Sequence, residues 1–285
     1  MTTPADKLRQ LLARPGILSM PGCHDAMSAA LIEEAGFELG FMSGFAVSGA
    51  RLGEPDTGLI SYGEMVDQGR YICNRVNIPM FGDGDTGFGN ALNVKRTVEG
   101  YARAGFACIM LEDQVMPKRC GHTKGKDVVS RDEAFSRIQA AVDARNEGSD
   151  ILIMARTDAR AIHGLDDAIE RCQEFARIGA DITFLEAPES VEEMQAYCAA
   201  VPGPKMANMI EHGKTPILPP QELEKIGYKI MVYPLTLLNA SILAMRQSLQ
   251  MIKQGREPDN ILDFEGLKDA VGFNRYYDEF DRYNG

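Results

Sequence analysis

At 285 residues, with 45% hydrophobic and 25% charged side chains, the chain has the size and composition of a globular protein with a sizeable core. The formal net charge of -11 argues against nucleic acid and anionic membrane as partners, though a local cluster of cations can still hold a small anionic substrate. No run of eighteen apolar residues is present, and residues 1–14 scatter their charges without a secretory apolar stretch, so the expectation is a cytoplasmic protein that spans no membrane.

In chain order, a short helix over residues 5–13 precedes a strand at 17–23. A helix at 24–35 leads to a second strand at 38–43, and a helix at 61–75 to a third at 78–83. A helix at 93–104 leads to the fourth strand, 107–111, a short apolar run of buried type. The helix at 131–145 has Ser130 as cap and Glu133 three residues on, a capping-box pattern. Strand five is 151–156, and the helix at 165–178 stops at Gly179. Strand six is 182–186, a helix at 191–200 follows, and strand seven is 205–209. A short helix at 221–226 and strand eight, 229–233, lead into a helix at 235–253. Eight strands alternating with helices over this length predict an α/β protein of the (β/α)8 or TIM-barrel class. We read residues 1–285 as one barrel domain. Residues 257–285 are polar and aromatic with helical apolar spacing. Such a tail needs a surface to dock on, so residues 235–285 form a C-terminal helical region.

In a barrel, chemistry sits at the C-terminal ends of the strands. Those ends read Ser43-Gly44-Phe45, Asp83-Gly84-Asp85-Thr86-Gly87, Glu112-Asp113, Arg156-Thr157-Asp158, Glu186, and Asn208 with Glu211. Asp83 and Asp85 are two apart and share a face of an extended chain. With Glu112 and Asp56 they make an all-oxygen cluster suited to Mg2+, or Mn2+, rather than zinc. The alternative is a glycine-rich turn with solvated aspartates. Arg156 can grip a substrate carboxylate in a bidentate fork, or form an ion pair with Glu186 or Asp158; the two are compatible.

The six cysteines show no CxxC spacing, which supports neither a disulfide framework nor a zinc site. Cys120 differs from the rest because it follows Lys118 and Arg119 and precedes Gly121 and His122. Neighbouring cations favour thiolate, so Cys120 is a candidate nucleophile or general acid; an incidental loop cysteine is the plain alternative. His122 can orient the thiol, bind substrate or do neither. Residues 114–129 are long for a loop between strand and helix and contain Gly121 and Gly125, which suggests a closing lid with its hinge at residues 113–117.

Lys118-Arg119-Cys120-Gly121-His122 resembles the KRCGH signature of the carbon–carbon lyase branch of the phosphoenolpyruvate mutase/isocitrate lyase superfamily. The resemblance extends over most of the chain, through Asp83-Gly84-Asp85-Thr86-Gly87, Leu111-Glu112-Asp113-Gln114, Ala155-Arg156-Thr157-Asp158-Ala159, Glu186-Ala187-Pro188 and Ala207-Asn208-Met209. It implies a barrel that swaps its eighth helix with a neighbour, assembled as a homotetramer (a dimer of dimers). It implies Mg2+ held by Asp83, with Asp56, Asp85 and Glu112 acting largely through water. Ser43, Gly44 and Arg156 would bind the oxo-acid end of a dicarboxylate or tricarboxylate substrate, with Phe45, Gly121, Glu186, Asn208 and Pro234 around it.

Lys118, Arg119 and His122 would join Cys120 as catalytic groups. The reaction implied is cleavage of the C2–C3 bond of a 2-hydroxydicarboxylate to pyruvate or another 2-oxo acid. The departing acid leaves as an enolate-like species protonated by Cys120. Phe45 stands where methylisocitrate lyases usually carry a glycine, and Pro234 where oxaloacetate hydrolases tend to carry a serine. The expected substrate is therefore of 2-alkylmalate or 2,3-dimethylmalate type. 2-Methylisocitrate is the alternative, with oxaloacetate hydrolysis or a non-catalytic dicarboxylate-binding barrel behind it.

Overall fold

The computed structural model describes residues 2–121 and 125–284. Its eight strands are β1 (Leu18–Cys23), β2 (Gly40–Met42), β3 (Met80–Asp83), β4 (Cys108–Glu112), β5 (Leu152–Thr157), β6 (Ile182–Leu185), β7 (Met206–Asn208) and β8 (Ile230–Tyr233). All pairings are parallel, in the order β6-β5-β4-β3-β2-β1-β8-β7. The two end strands meet at a single parallel bridge, Thr183 with Lys205, supported by Thr183 N donating to Pro204 O at 3.1 Å. The sheet therefore comes round on itself as the expected (β/α)8 barrel, with a thin seam between β6 and β7.

Side chains alternate across each strand, and the alternation divides the core. Met20, Phe41, Phe81, Met110, Met154, Phe184, Met206 and Val232 belong to one buried cluster, the barrel interior. Helix α1 (Pro4–Ala13) adds Ala5, Leu8 and Leu11 to that cluster and closes its N-terminal end. Cys23, Met42, Met80, Ile109, Leu111, Ile153 and Ala155 face outward, into the layer between sheet and helices.

The surrounding helices begin where side chains can satisfy their first N–H groups. Around the first half of the barrel they are α2 (Ala26–Glu34), α3 (Gly44–Val47), α4 (Tyr62–Arg75), α5 (Ala91–Ala104) and α6 (Arg131–Asn146). Around the second half they are α7 (Arg160–His163), α8 (Leu165–Ile178), α9 (Val191–Ala200) and α10 (Pro220–Ile226). Ser61 and Glu64 cap α4 reciprocally, and Ser130 caps α6 through Glu133 N.

Several boundaries differ from the sequence reading for local reasons. The side chain of Asn90 accepts from Leu92 N and Asn93 N, so α5 starts at Ala91 rather than 93. Ser43 ends β2 early because its hydroxyl accepts from Ala46 N and starts α3, which continues into a π-helical turn, Ser48–Leu52. Neither that turn nor α7 is anticipated by apolar periodicity, since each is only four or five residues long.

The chain divides at Leu238 and Asn239 into two compact units. The second holds most of α11 (Thr236–Lys253), together with α12 (Phe264–Val271) and α13 (Phe273–Asn284). Within it Asn260 ties the chain to α11, accepting from Ser248 Oγ at 2.8 Å and donating to Ala244 O at 3.2 Å. No described helix is long and apolar enough to cross a membrane.

Candidate active site

One step of the period-two pattern beyond the interior core places the polar groups. Phe41, Phe81, Met110, Met154, Phe184, Met206 and Val232 point inward. The next inward positions on the same strands are Ser43, Asp83, Glu112, Arg156, Glu186, Asn208 and Pro234. All seven line one cavity at the C-terminal end of the barrel, with Phe41, Met110, Phe184, Met206 and Val232 beneath them. Asp56, Lys118, Arg119, Cys120, Gly121 and Phe45 line it from the loops, and Ile210 and Leu235 complete an apolar side. The space within this lining, including open solvent at its mouth, is about 480 Å³. Asp85 and Gly44 lie behind this lining and act on it through Asp83 and Lys118.

The carboxylates are oriented by backbone. Asp83 Oδ2 accepts from Gly44 N at 3.0 Å and Oδ1 from Asp85 N at 3.1 Å. Tyr101 Oη donates to the Asp83 carbonyl at 2.6 Å, fixing the strand end from below. Only glycine fits at position 44, where a Cβ would stand 2.7 Å from Asp83 Oδ2. Asp85 turns the chain with φ of +48°, in the left-handed region that aspartate tolerates better than most residues. Its carbonyl then accepts from Glu112 N at 2.9 Å. β3 and β4 are thereby locked together at the level of their carboxylates.

Lys118 lies in this cluster rather than at the surface of its loop. Its Nζ is 2.5 Å from Asp56 Oδ1 and 2.8 Å from Asp85 Oδ1, with only 3% of the side chain exposed. Burial alone would lower the Lys118 pKa, but Asp85, Asp83, Glu112 and Asp56 together hold it well above the usual lysine range. Burial pushes the Asp85 carboxyl up to about 7; Lys118 opposes the shift, and Asp83 and Asp56 add to it. Glu112 is likewise raised, by burial first, against the pull of Arg156 and Lys118.

Arg156 stands directly across the ladder from Glu112, its register partner. Its Nε is 3.3 Å from Glu112 Oε2 and donates to Asp158 Oδ2 at 2.9 Å; Nη2 donates to Asp158 Oδ1 at 3.2 Å and lies 3.8 Å from Glu186 Oε1. The guanidinium rests over the Phe184 ring, 5.3 Å from its centroid. Both anticipated ion-pair partners of Arg156 are thus present. Asn208 Nδ2 donates to Glu186 Oε2 at 3.3 Å.

The loop after β4 has a fixed stem. Val115 N donates to Asp127 O and Val129 N to Asp113 O, each at 2.9 Å, and Gln114 bridges to Val128. The Gln114 side chain also grips the loop, accepting from Arg119 N at 2.9 Å and donating to Arg119 O at 2.8 Å. These bonds fix residues 113–115, the first part of the 113–117 stretch where the sequence suggests a hinge. His122 lies outside the described residues. Asp113 stands out only as a strand-end carboxylate and Lys126 by no motif, yet the structure ties both to the end of β5. Thr157 Oγ1 donates to Asp113 Oδ2 at 2.7 Å, and Lys126 Nζ donates to Asp158 Oδ1 at 2.8 Å. For Lys126 the hint in the sequence is a carboxylate, Asp158, two residues after a strand-end arginine.

A family model described as phosphoenolpyruvate phosphomutase matches residues 8–253. The chain belongs to the phosphoenolpyruvate mutase/isocitrate lyase superfamily. It is 43% identical over 275 residues to a 2,3-dimethylmalate lyase of Eubacterium barkeri, covering 95% of each chain. It is 43% identical over 277 residues to a 2-methylisocitrate lyase of Aeropyrum pernix, covering 96% of this chain and 89% of that one. Among solved structures, a 2,3-dimethylmalate lyase superposes with a TM-score of 0.95 at 34% identity, covering 100% of this chain and 97% of the other. A phosphonopyruvate hydrolase in complex with oxalate and Mg2+ superposes with a TM-score of 0.87 at 26% identity, covering 99% and 100%.

The donor set fits a hard divalent ion. Asp56, Asp83, Asp85 and Glu112 contribute four buried carboxylates, and Asp85 Oδ2 and Glu112 Oε1 have no hydrogen-bond partner among the described residues. Among the described residues no three His, Cys, Asp or Glu side chains converge closely enough to ligate one ion directly. Oxygen donors of this kind suit a hard ion such as Mg2+, which binds through one or two carboxylates and keeps several waters.

Proposed function

We propose that the protein is a Mg2+-dependent lyase that cleaves the C2–C3 bond of a 2-hydroxydicarboxylate of the 2-alkylmalate or 2,3-dimethylmalate type. The observation that carries this reading is the composition of one cavity. Asp56, Asp83, Glu112, Glu186, Arg156 and Cys120 share it with an apolar side of Phe45, Ile210, Pro234 and Leu235. The carboxylates and Arg156 suit the charged 2-hydroxy acid end, and the apolar side suits alkyl substituents.

Asp83 would hold the ion directly, with Asp56, Asp85 and Glu112 holding its waters. When bound, Mg2+ supplies Lewis acidity that lowers the pKa of a substrate hydroxyl. Arg156 and Ser43 hold the carboxylate next to that hydroxyl, while the Gly44 N–H is given to Asp83 Oδ2. As the hydroxyl gives up its proton to a carboxylate of the cavity, the O–H electron pair forms the C2 carbonyl. The C2–C3 pair passes to C3 and spreads into the adjoining carboxylate. Arg119 at the cavity edge stabilises the developing charge. Cys120 delivers its thiol proton to C3, so 2,3-dimethylmalate would give pyruvate and propionate. The water-poor interior protects the carbanion until that proton arrives.

Steady-state assays with Mg2+ on (2R,3S)-2,3-dimethylmalate, 2-methylisocitrate and oxaloacetate test the reading. The highest kcat/KM is expected for the alkylmalate. A kcat/KM for 2-methylisocitrate far above the other two would replace it with the methylisocitrate lyase reading.

The assembly belongs to the same proposal. The second unit exposes apolar side chains on all three of its helices, Leu249, Phe264 and Phe280 among them. We read them as the surface on which copies associate, with the C-terminal helices docking on a neighbour in a homotetramer.

A further inference from the structure

Lys126 plays no part in the reaction proposed above, yet it is buried beside the site. Its side chain is 3% exposed and makes two short contacts. Nζ donates to the Gly121 carbonyl at 2.6 Å and to Asp158 Oδ1 at 2.8 Å. The first contact is to the carbonyl of Gly121, the residue that follows Cys120. The second is the carboxylate that also receives Nε and Nη2 of Arg156. A lysine ammonium has three N–H donors and no acceptor, so one Nζ can serve both oxygens at once.

The other partners in the chain of contacts are rigid. Asp158 N is held by Asp113 Oδ1 at 2.9 Å, and Asp113 by Arg171 Nη1 at 3.0 Å. Asp158 itself is fully buried. Gly121 packs so closely on Arg156 and Glu186 that a Cβ there would collide with Arg156 Nη2 and Glu186 Oε1. The backbone carrying Cys120 is thus referenced to the substrate-binding arginine by two routes: direct contact at Gly121, and an ionic bridge through Lys126 and Asp158.

We infer that Lys126 is a positioning residue that holds the Cys120-Gly121 backbone in register with Arg156, using the Asp158 carboxylate as the common anchor. The inference rests on the reading of Cys120 as the proton donor. A donor that must meet C3 while Arg156 holds the other end of the substrate needs a fixed distance between the two. A displacement of about 1 Å at such a contact is enough to cost on the order of 100-fold in rate. Asp158 carries one negative charge and serves two cations among the described residues, so removing Lys126 leaves Arg156 its sole cationic partner among them. Arg156 stays in place, and the register of the thiol is what is lost.

The test compares Lys126→Met and Lys126→Arg with the wild-type protein in three measurements. These are kcat and KM on whichever substrate the wild type turns over, oxalate affinity by calorimetry with Mg2+, and the rate at which iodoacetamide alkylates Cys120 in the oxalate complex. Lys126→Met is expected to lower kcat by about 10- to 100-fold. Oxalate affinity should stay within about threefold and alkylation of Cys120 should rise at least fivefold. Lys126→Arg, which keeps a cation able to reach both oxygens, should restore most of the kcat. Unchanged alkylation together with a kcat within twofold of wild type overturns the inference. So does a loss of oxalate binding equal to the loss of kcat, which would make Lys126 a general support of the pocket. If the wild type turns over none of the three substrates, the function proposed above fails. The alkylation rates in the two variants still decide whether Lys126 positions the thiol.

Discussion

Two residues that never meet substrate set the geometry of the acidic cluster. Gly44 is one of them, because its N–H and its missing Cβ are both used by Asp83 Oδ2. Gly44→Ala is expected to push the Asp83 carboxylate aside and weaken Mg2+ binding by about 10- to 100-fold, the range seen when groups supporting a metal ligand are altered. Calorimetric titration with Mg2+ reads this directly, and an unchanged affinity would count against Asp83 as the ligand. Tyr101 is the other. It is fully buried and gives its hydroxyl to the Asp83 carbonyl. Tyr101→Phe keeps the ring and leaves that carbonyl short of a donor, which should cost about 1–3 kcal/mol in denaturant unfolding. Asp158 makes a prediction about pH. Burial alone would raise its carboxyl, but Arg156 and Lys126 hold it below the usual range. A carboxyl depressed in the folded state contributes stability that is full above the unfolded pKa of about 4 and is lost as the pH falls through the folded value. Asp158→Asn should therefore flatten the acid limb of the stability profile below about pH 4, and an unaltered limb would show that the pair contributes nothing there.

At the level of elements, one buried pair joins four pieces of the barrel. Arg171 on α8 donates to Asp113 Oδ2 at the end of β4 and to Val129 O just ahead of α6, both at 3.0 Å. Asp113 in turn accepts from Thr157 Oγ1 and Asp158 N at the end of β5. Removing one partner of such a pair strands a charge, so Arg171→Met is expected to cost about 3–5 kcal/mol. Thermal unfolding measures it, and a loss below about 1 kcal/mol would mean that the loop stem and the strand ends hold without the pair. The same elements show where the sequence was legible. The strand ends place Ser43, Asp83, Glu112, Arg156, Glu186 and Asn208 at the C-terminal rim in the sequence. The structure sets them on the inner face, one period-two step above buried aromatic, Met and Val side chains. The KRCGH run marks Cys120 by its chemistry. Lys118 was read as part of a mobile loop, and its burial between Asp56 and Asp85 depends on a long loop folding back, which no local pattern encodes. Lys126 is one of several cations in the same loop. What distinguishes it is a contact with Asp158, thirty-two residues away.

For the whole molecule the question is what covers the C-terminal helices. Leu249 is 65% exposed, Phe264 73% and Tyr283 75%, in a protein whose barrel interior is closed to solvent. Exposed apolar surface on this scale marks an interaction face rather than a solvated one. The aromatic residues of α13, Phe273, Tyr276, Tyr277 and Phe280, lie within about one ring of each other along one side, with neighbouring centroids 5.9–6.1 Å apart. A continuous stripe of that kind gains little from water and a good deal from a second apolar surface. If copies of this chain supply that surface, folding and association are linked, and the melting temperature must rise with protein concentration. Leu249→Glu separates the two effects. An exposed position tolerates a glutamate within about 0.5 kcal/mol in an isolated chain, whereas burying that charge in an interface costs several kcal/mol. The wild type is expected to elute with the mass of four chains by light scattering and to melt at a temperature that depends on concentration. Leu249→Glu is expected to shift toward smaller species whose melting temperature does not depend on concentration. A wild-type protein that stays monomeric up to high micromolar concentration, with a flat melting temperature, would mean that these helices are covered by something other than a copy of the chain.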